Sequence, residues 1–206
     1  MYLSKIHIPW HLAKNPYQLH QVLWRLFPGQ EQSPKRDFLF RVEQAQNGVG
    51  YNILLQSFLQ PQTGEQSPLI LAKREYMLNV PNGQRLRFRL RANPIKAIKD
   101  VSKGTVDKKG KIFTKTVRVP LLHEEQQRDW LERKLRNIAQ LDSLIVQPEP
   151  VLYFRKAKEN RSGKIQTVLF DGILKVTDAE EFNNQASFGI GPAKAFGCGL
   201  LSIARI

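Results

Sequence analysis

Residues 85–91 read Arg-Leu-Arg-Phe-Arg-Leu-Arg, a strict two-residue alternation. Successive side chains of a β-strand point to opposite faces, so a strand here buries Leu86, Phe88 and Leu90 and turns Arg85, Arg87, Arg89 and Arg91 to the other face. Like charges side by side on a strand are costly unless an anion meets them. The chain is therefore expected to contain a sheet with one apolar face and one cationic face that calls for a negative partner.

The segments around this strand repeat in order. Residues 2–8 (YLSKIHI) read as a strand. A helix follows: Asn15 is a good N-cap, Pro16 suits the first helical position and Pro28-Gly29 stops the run. Leu19, Val22, Leu23, Leu26 and Phe27 form its apolar stripe. His20 falls at the border of that stripe, and Tyr17, three residues earlier, shares a surface with it. The bland reading of His20 is a half-buried histidine satisfied by a nearby carbonyl. Strands at 37–43 and 50–57 are divided by the turn-prone QNGVG, and 73–80 closes the first half. The second half opens with 85–91. After a long basic segment comes a helix over 124–141, whose stripe is Trp130, Leu131, Leu135 and Ile138. Strands near 150–156 and 164–176, a short helix near 178–186 and a strand near 199–204 complete the series. Each half is approximately βαββαβ, the order of a ferredoxin-like α+β fold with helices on one face of an antiparallel sheet. The halves are expected at 1–82 and 83–206.

Charge narrows the choice of partner. The 206 residues carry 32 Lys and Arg against 18 Asp and Glu, a formal charge of +14 and a pI near 10.1. Such a balance points to a polyanion, either nucleic acid or an anionic membrane. No apolar run is long enough to span a bilayer, and the opening MYLSKIHIPWH places histidines and a proline where a signal peptide carries its apolar segment. The single cysteine, Cys198, excludes an intramolecular disulfide framework and a cysteine-rich zinc site, so a cytoplasmic protein is expected. Between 85 and 118 twelve bases face two acids, Asp100 and Asp107. The stretch SKGTVDKKGKIFTK (102–115) resembles a mobile basic loop able to follow a phosphate backbone. A second basic group, Arg155, Lys156, Lys158 and Arg161, lies between two strands. With basic groups on loops and a sheet face, and no recognition-helix pattern, a shaped RNA fits better than major-groove DNA.

The chemistry available is limited. A two-metal nuclease needs clustered carboxylates, whereas the acids here are scattered or sit on exposed helix faces, as Glu124-Glu125 and Glu180-Glu181 do. His7 and His11 are four apart with Pro9 between them, a weak zinc motif. No metal or other cofactor is expected. Cys198 reads as a small buried thiol. The stretch GIGPAKAFGCGLLSI (189–203) fails as a dinucleotide fingerprint, because Lys194 stands where the third glycine belongs and a strand follows. Its glycines could still bring backbone amides close to phosphate. RNA itself offers a route to cleavage, since its 2′-hydroxyl can attack the adjacent phosphate if a base, an acid and a cation are supplied.

Tyr17 and His20 in YQLHQVLWRLFP, RLRANPIK (89–96), SGKIQTV (162–168) and GIGPAKAFGCGLL (189–201), taken together and in this order, resemble the CasE family, the CRISPR RNA-processing endoribonuclease of the type I-E Cascade complex. The likeness spans essentially the whole chain. It implies two RRM-like, ferredoxin-like domains, metal-independent cleavage at the 3′ base of a repeat hairpin, and retention of the cut RNA beside other Cascade subunits. His20 would be the general acid or base, Tyr17 would orient or assist it, and Lys164 would stabilise the scissile phosphate. Gly191 and Lys194 would meet phosphate from the glycine-rich loop. Arg91, Lys96, Lys99, Lys103, Lys108, Lys109, Lys111 and Lys115 would hold the stem, with Arg155, Lys156, Lys158 and Arg161. A related subunit that binds hairpin RNA without cutting it is the alternative, and a basic ribosomal or DNA-binding scaffold is a third.

Overall fold

The structure, a computed structural model, describes the backbone of residues 1–29, 37–106, 112–156 and 161–206; side chains of 100–115, 156 and 161 are not among those described. The first sheet is built from β1 (Tyr2–Pro9), β2 (Phe38–Gln46), β3 (Gly50–Ser57) and β4 (Leu69–Glu75), ordered β2-β3-β1-β4, with α1 (Pro16–Trp24) between β1 and β2. The second comprises β5 (Arg85–Ala92), β8 (Ala139–Pro148), β11 (Val168–Val176) and β12 (Leu201–Arg205), ordered β12-β5-β11-β8, with helices α2 (Glu124–Leu135) and α3 (Ala179–Phe188). Numbered within each half, both orders are 4-1-3-2 and antiparallel throughout, so the expected α+β architecture of two ferredoxin-like units is the one observed. The first unit lacks its second helix, since residues 58–68 form none.

Each sheet buries one face under its helices. Leu19, Val22 and Leu23 of α1 cover Ile6, Ile8, Phe40, Ile53 and Leu55. Trp130, Leu131 and Leu135 of α2, with Phe182 of α3, cover Leu86, Phe88, Leu90, Phe170 and Leu174. The start of α1 matches its sequence signals. The Tyr17 N–H donates to Asn15 Oδ1 at 2.9 Å and the Asn15 N–H donates to Gln18 Oε1 at 3.2 Å, a reciprocal capping box. The α-helix ends at Trp24, earlier than expected, and Leu26 and Phe27 remain buried in a tightened turn with i→i−3 bonds.

Four expectations are corrected. The basic stretch after residue 94 is an antiparallel hairpin of β6 (Ile95–Val106) and β7 (Ile112–Pro120), because branched residues at 112, 114, 116, 117 and 119 favour a strand despite the lysines. The second long helix stops at Leu135, and β8 begins at Ala139. A register shift between Ile173 and Leu174 of β11 skips Asp142 opposite, so the inward residues Leu141, Leu144 and Val146 are unevenly spaced and disguise the strand. The strand expected at 73–80 lies at 69–75, while Leu78 and Val80 leave it to pack on the second core. The segment 164–176 is two strands: β10 (Arg161–Ile165), which pairs with β9 (Leu152–Lys156), and then β11.

The cationic face of β5 finds its anions inside the protein. Arg85 pairs with Asp142 at 2.8 Å, and Arg89 pairs twice with Asp171, directly opposite on β11. Arg91 shares this face but is buried, with its guanidinium on Glu149 and near Thr167 Oγ1. The repulsion along the strand is relieved by neighbouring carboxylates, and Arg91, expected to hold RNA, is buried in an ion pair with Glu149. Among the described residues no helix is long and apolar enough to cross a membrane.

Candidate active site

The residues singled out for chemistry gather where the two units meet. Helix α1 rests on β9 and on a single 3₁₀ turn at Lys194–Phe196. Its contact residue is Tyr17. The phenol ring stacks on Phe154 at 6.2 Å and 19°, and it lies 6.3 Å from Phe196, while Phe154 and Phe196 meet at 4.6 Å. Phe154 can lie so close to its partner strand because the residue opposite is Gly163, where a Cβ would come within 2.8 Å of the ring's Cε1. His20, one turn beyond Tyr17, is half-buried at the border of the stripe. Its ring meets Trp24 edge-on at 6.0 Å and Phe38 at 5.5 Å.

Lys164 is exposed on β10, directly opposite Tyr153. Opposed residues share a face of a hairpin and neighbours alternate, so Tyr153 and Lys164 lie on the face away from the Phe154–Tyr17 stack. A groove of about 600 Å³ joins the two sides, lined by Asn15 at the start of α1, by Tyr153, Phe154 and Arg155, and by Ser162 and Lys164. The structure thus brings Tyr17 and Lys164 to opposite faces of one narrow ribbon. His20 sits farther along the helix beside Phe38. Phe38 also lines a groove of about 310 Å³ with Asp37, Ser187, Phe188 and Lys194.

The glycine-rich loop is the seam between the units. Gly191 takes φ +81°, and a Cβ there would come within 2.8 Å of the Trp130 ring, so glycine serves packing as well as conformation. The amides of Gly189, Ile190, Phe196, Gly197 and Gly199 all donate to carbonyls within the protein, which leaves a shorter run of the loop for phosphate than expected. Lys194 Nζ donates to the Phe188 carbonyl at 2.6 Å. Across the seam, Gln56 Nε2 donates to the carbonyls of Ala186 at 3.0 Å and Ser187 at 3.3 Å, and Arg41 donates to the Arg89 carbonyl at 3.1 Å. Burial lowers the Arg41 pKa, with Glu43 opposing the shift, whereas the hydrogen bond to Asp171 is the main cause that raises that of Arg89. Burial also pushes the Cys198 thiol up to about 12, which makes it an inert core residue at neutral pH.

The remaining expectations divide. Lys96 and Lys99 are exposed on β6 but three residues apart, so they face opposite sides of the hairpin. Arg155 is exposed on β9. Lys108, Lys109, Lys111 and Lys158 lie outside the described residues, as do the side chains of Lys103, Lys115, Lys156 and Arg161. His7 is committed within the first sheet, its Nδ1 lying 2.9 Å from Asn52 Oδ1. Sequence reading missed the aromatic pair Tyr153-Phe154; the signal was available, an adjacent pair of aromatic rings entering the basic run RKAK, the mixture that single-stranded nucleic acid favours.

A family model described as CRISPR associated protein matches residues 1–205. The chain belongs to this CRISPR-associated family. Over 207 residues, covering all of both chains, it is 46% identical to the CRISPR system Cascade subunit CasE of Escherichia coli K12. It is 30% identical to the CRISPR-associated endoribonuclease Cse3 of Thermus thermophilus, over 92% of this chain and 90% of that one. Among solved structures of CRISPR-associated proteins, the crystal structure of Cas6e from E. coli K-12 superposes with a TM-score of 0.84 at 43% identity, covering all of both chains. Thermus thermophilus Cse3 bound to an RNA representing a pre-cleavage complex gives 0.75 at 28% identity, covering 98% of each.

Proposed function

We propose that this chain is an endoribonuclease that cuts precursor CRISPR RNA within its repeat hairpins and keeps the product as a subunit of Cascade. Full-length likeness to CasE and Cse3 supports the reaction and the setting. The observation that carries the site is the Tyr17–Phe154 stack, which seats the helix bearing His20 on the hairpin bearing Lys164. The groups proposed for the reaction are an imidazole, a phenol and an amine, a set suited to proton transfer and charge neutralisation. The 2′-oxygen bonds to phosphorus while the bond to the 5′-oxygen breaks, and the proton of the 2′-hydroxyl is balanced by one delivered to the leaving oxygen. His20 handles one of these protons, Tyr17 orients it, and Lys164 offsets the charge on the phosphorane. The products are a 5′-hydroxyl and a 2′,3′-cyclic phosphate, or its 3′-phosphate, with no metal required. Lys96, Lys99 and Arg155, with the lysines of the β6–β7 segment, hold the stem, and Gly191 and Lys194 bound the site.

The test is His20→Ala. Cleavage should be lost while hairpin affinity stays within about twofold, because a proton carrier contributes to the transition state rather than to ground-state binding. Unchanged cleavage in the variant rejects the assignment. Wild-type binding without any cutting favours the structural subunit instead. Activity in EDTA with a cyclic end, abolished by a 2′-deoxy nucleotide just upstream of the cut, completes the argument.

A further inference from the structure

On the far side of Lys164 lies a second groove, of about 680 Å³, which the reaction above does not use. Its walls are Ile95, Pro120 and Leu122 from the base of the β6–β7 hairpin, Val151 and Ile165 from the β9–β10 hairpin, and Pro192 from the glycine-rich loop. Two amide side chains, Asn93 and Gln166, and two exposed cations, Arg118 and Lys164, complete the lining. An apolar slot with a few fixed polar groups is the form of a small-ligand site.

The amides are oriented. Gln166 Nε2 donates to the main-chain carbonyls of Glu149 at 2.7 Å and Thr167 at 3.3 Å, which occupies its hydrogens. Asn93, 7% exposed, donates from Nδ2 to the Gln166 carbonyl at 3.0 Å. With the N–H groups so engaged, the two side chains bring amide oxygens as acceptors to the lining of the groove. An exocyclic amino group, with two N–H bonds, matches two acceptors; uracil offers one N–H between two carbonyl oxygens that would be repelled.

We infer that this groove binds one unpaired, amino-bearing nucleobase (adenine, cytosine or guanine) of the RNA, adjacent to the phosphate at Lys164. The inference rests on the reading of the chain as an RNA-cutting enzyme. Unstacked bases next to a hairpin are the parts of RNA that proteins read through their edges. Lys164 lines both this groove and the one beside α1, so a base held here fixes where the neighbouring phosphate lies. Arg118, exposed in the same lining, supplies a second cation for the backbone of that nucleotide. The site is thus a specificity pocket that sets the register of cutting.

The experiment uses the full chain and hairpin RNAs carrying adenosine, purine riboside or uridine at each of the two nucleotides flanking the 3′ base of the stem. Affinity is read on a 2′-deoxy, uncleavable form, and kcat/KM on the all-ribo form. At one of the two positions, loss of the amino group should weaken binding by about tenfold. Gln166→Leu should erase that difference. Leu122→Trp, at the exposed rim, should weaken binding of every base at that position without touching the amide frame. Equal affinity for all three nucleotides at both positions overturns the pocket, whether or not the RNA is cut. Discrimination retained without any cleavage upholds the pocket and overturns the endoribonuclease reading alone.

Discussion

Replacing Arg91 by methionine separates a structural cation from an RNA contact. The Arg91 side chain is 8% exposed, and its partner Glu149 is 26% exposed. Removing one member of a buried ion pair costs about 3–5 kcal/mol, because the other charge is stranded. Glu149 can recover part of its hydration here, so the lower end applies, about 2–3 kcal/mol after that relief. For a chain of this length each kcal/mol moves the melting temperature by about 2–4 °C, so the variant should melt roughly 5–10 °C lower. Adding Glu149→Gln should restore much of the loss, since no bare charge then remains. The discriminating assay is the salt dependence of hairpin binding. A lost phosphate contact lowers the slope of log K against log salt by about 0.7–0.9, whereas a lost structural cation leaves it unchanged. A variant that melts within a degree of the parent and has the shallower slope would refute the burial argument.

Gly163→Ala should push the Phe154 ring off its strand and displace Tyr17 with it, lowering the single-turnover cleavage rate by about tenfold or more with a smaller change in affinity; an unaltered rate would disconnect the aromatic stack from the chemistry. Gln56→Leu should leave the Ala186 and Ser187 carbonyls short of a donor and cost about 1–3 kcal/mol, read as a drop in the denaturant midpoint at constant m; an unchanged midpoint would show that the seam does not depend on them. Because burial raises the Cys198 thiol to about 12, its stabilising effect is complete below the ordinary thiol value near 9 and is lost between 9 and 12. Stability should therefore fall more steeply over that alkaline range in the parent than in Cys198→Ala. At pH 8 iodoacetamide should react only as fast as the protein opens, and rapid labelling of the native chain would contradict the burial.

How legible each part was depended on whether its cause was local. The β5 alternation and the α1 N-cap are written within a few residues, and both elements begin where the sequence predicts them. The start of β8 is hidden because the bulge at Asp142 breaks the period of two, and its polar positions extend the look of the preceding helix. The β6–β7 hairpin is hidden by lysines that read as a loop. At the site, His20 and Tyr17 were legible as neighbours on one helix. The burial of Arg91 was not legible, because its counter-ion Glu149 is 58 residues away and no local pattern announces such a pairing. The stack of Tyr17 on Phe154, more than a hundred residues distant in sequence, was invisible for the same reason.

The long-range polar contacts have a common location. Arg91, Arg41 and Gln56 all lie under or beside the glycine-rich loop, and each is buried. The Gly199 N–H donates to the Arg91 carbonyl at 2.8 Å, and a Cβ on Gly197 would fall 3.6 Å from the Arg91 guanidinium. Arg41 binds the carbonyl of Arg89 from the first sheet, and Gln56 fixes the end of α3 where the loop begins. An apolar seam could slide by a fraction of a side chain at little cost, whereas hydrogen bonds with fixed angles hold one register. The proposed reaction needs that register. His20 belongs to the first unit and Lys164 to the second, so under the proposed mechanism a shift between the two sheets becomes a shift between the proton carrier and the phosphate, and an error of about 1 Å can cost a hundredfold in rate. The proposed mechanism gives these buried polar groups a reason to stand where apolar packing would cost less: they keep the two halves of the proposed site in alignment.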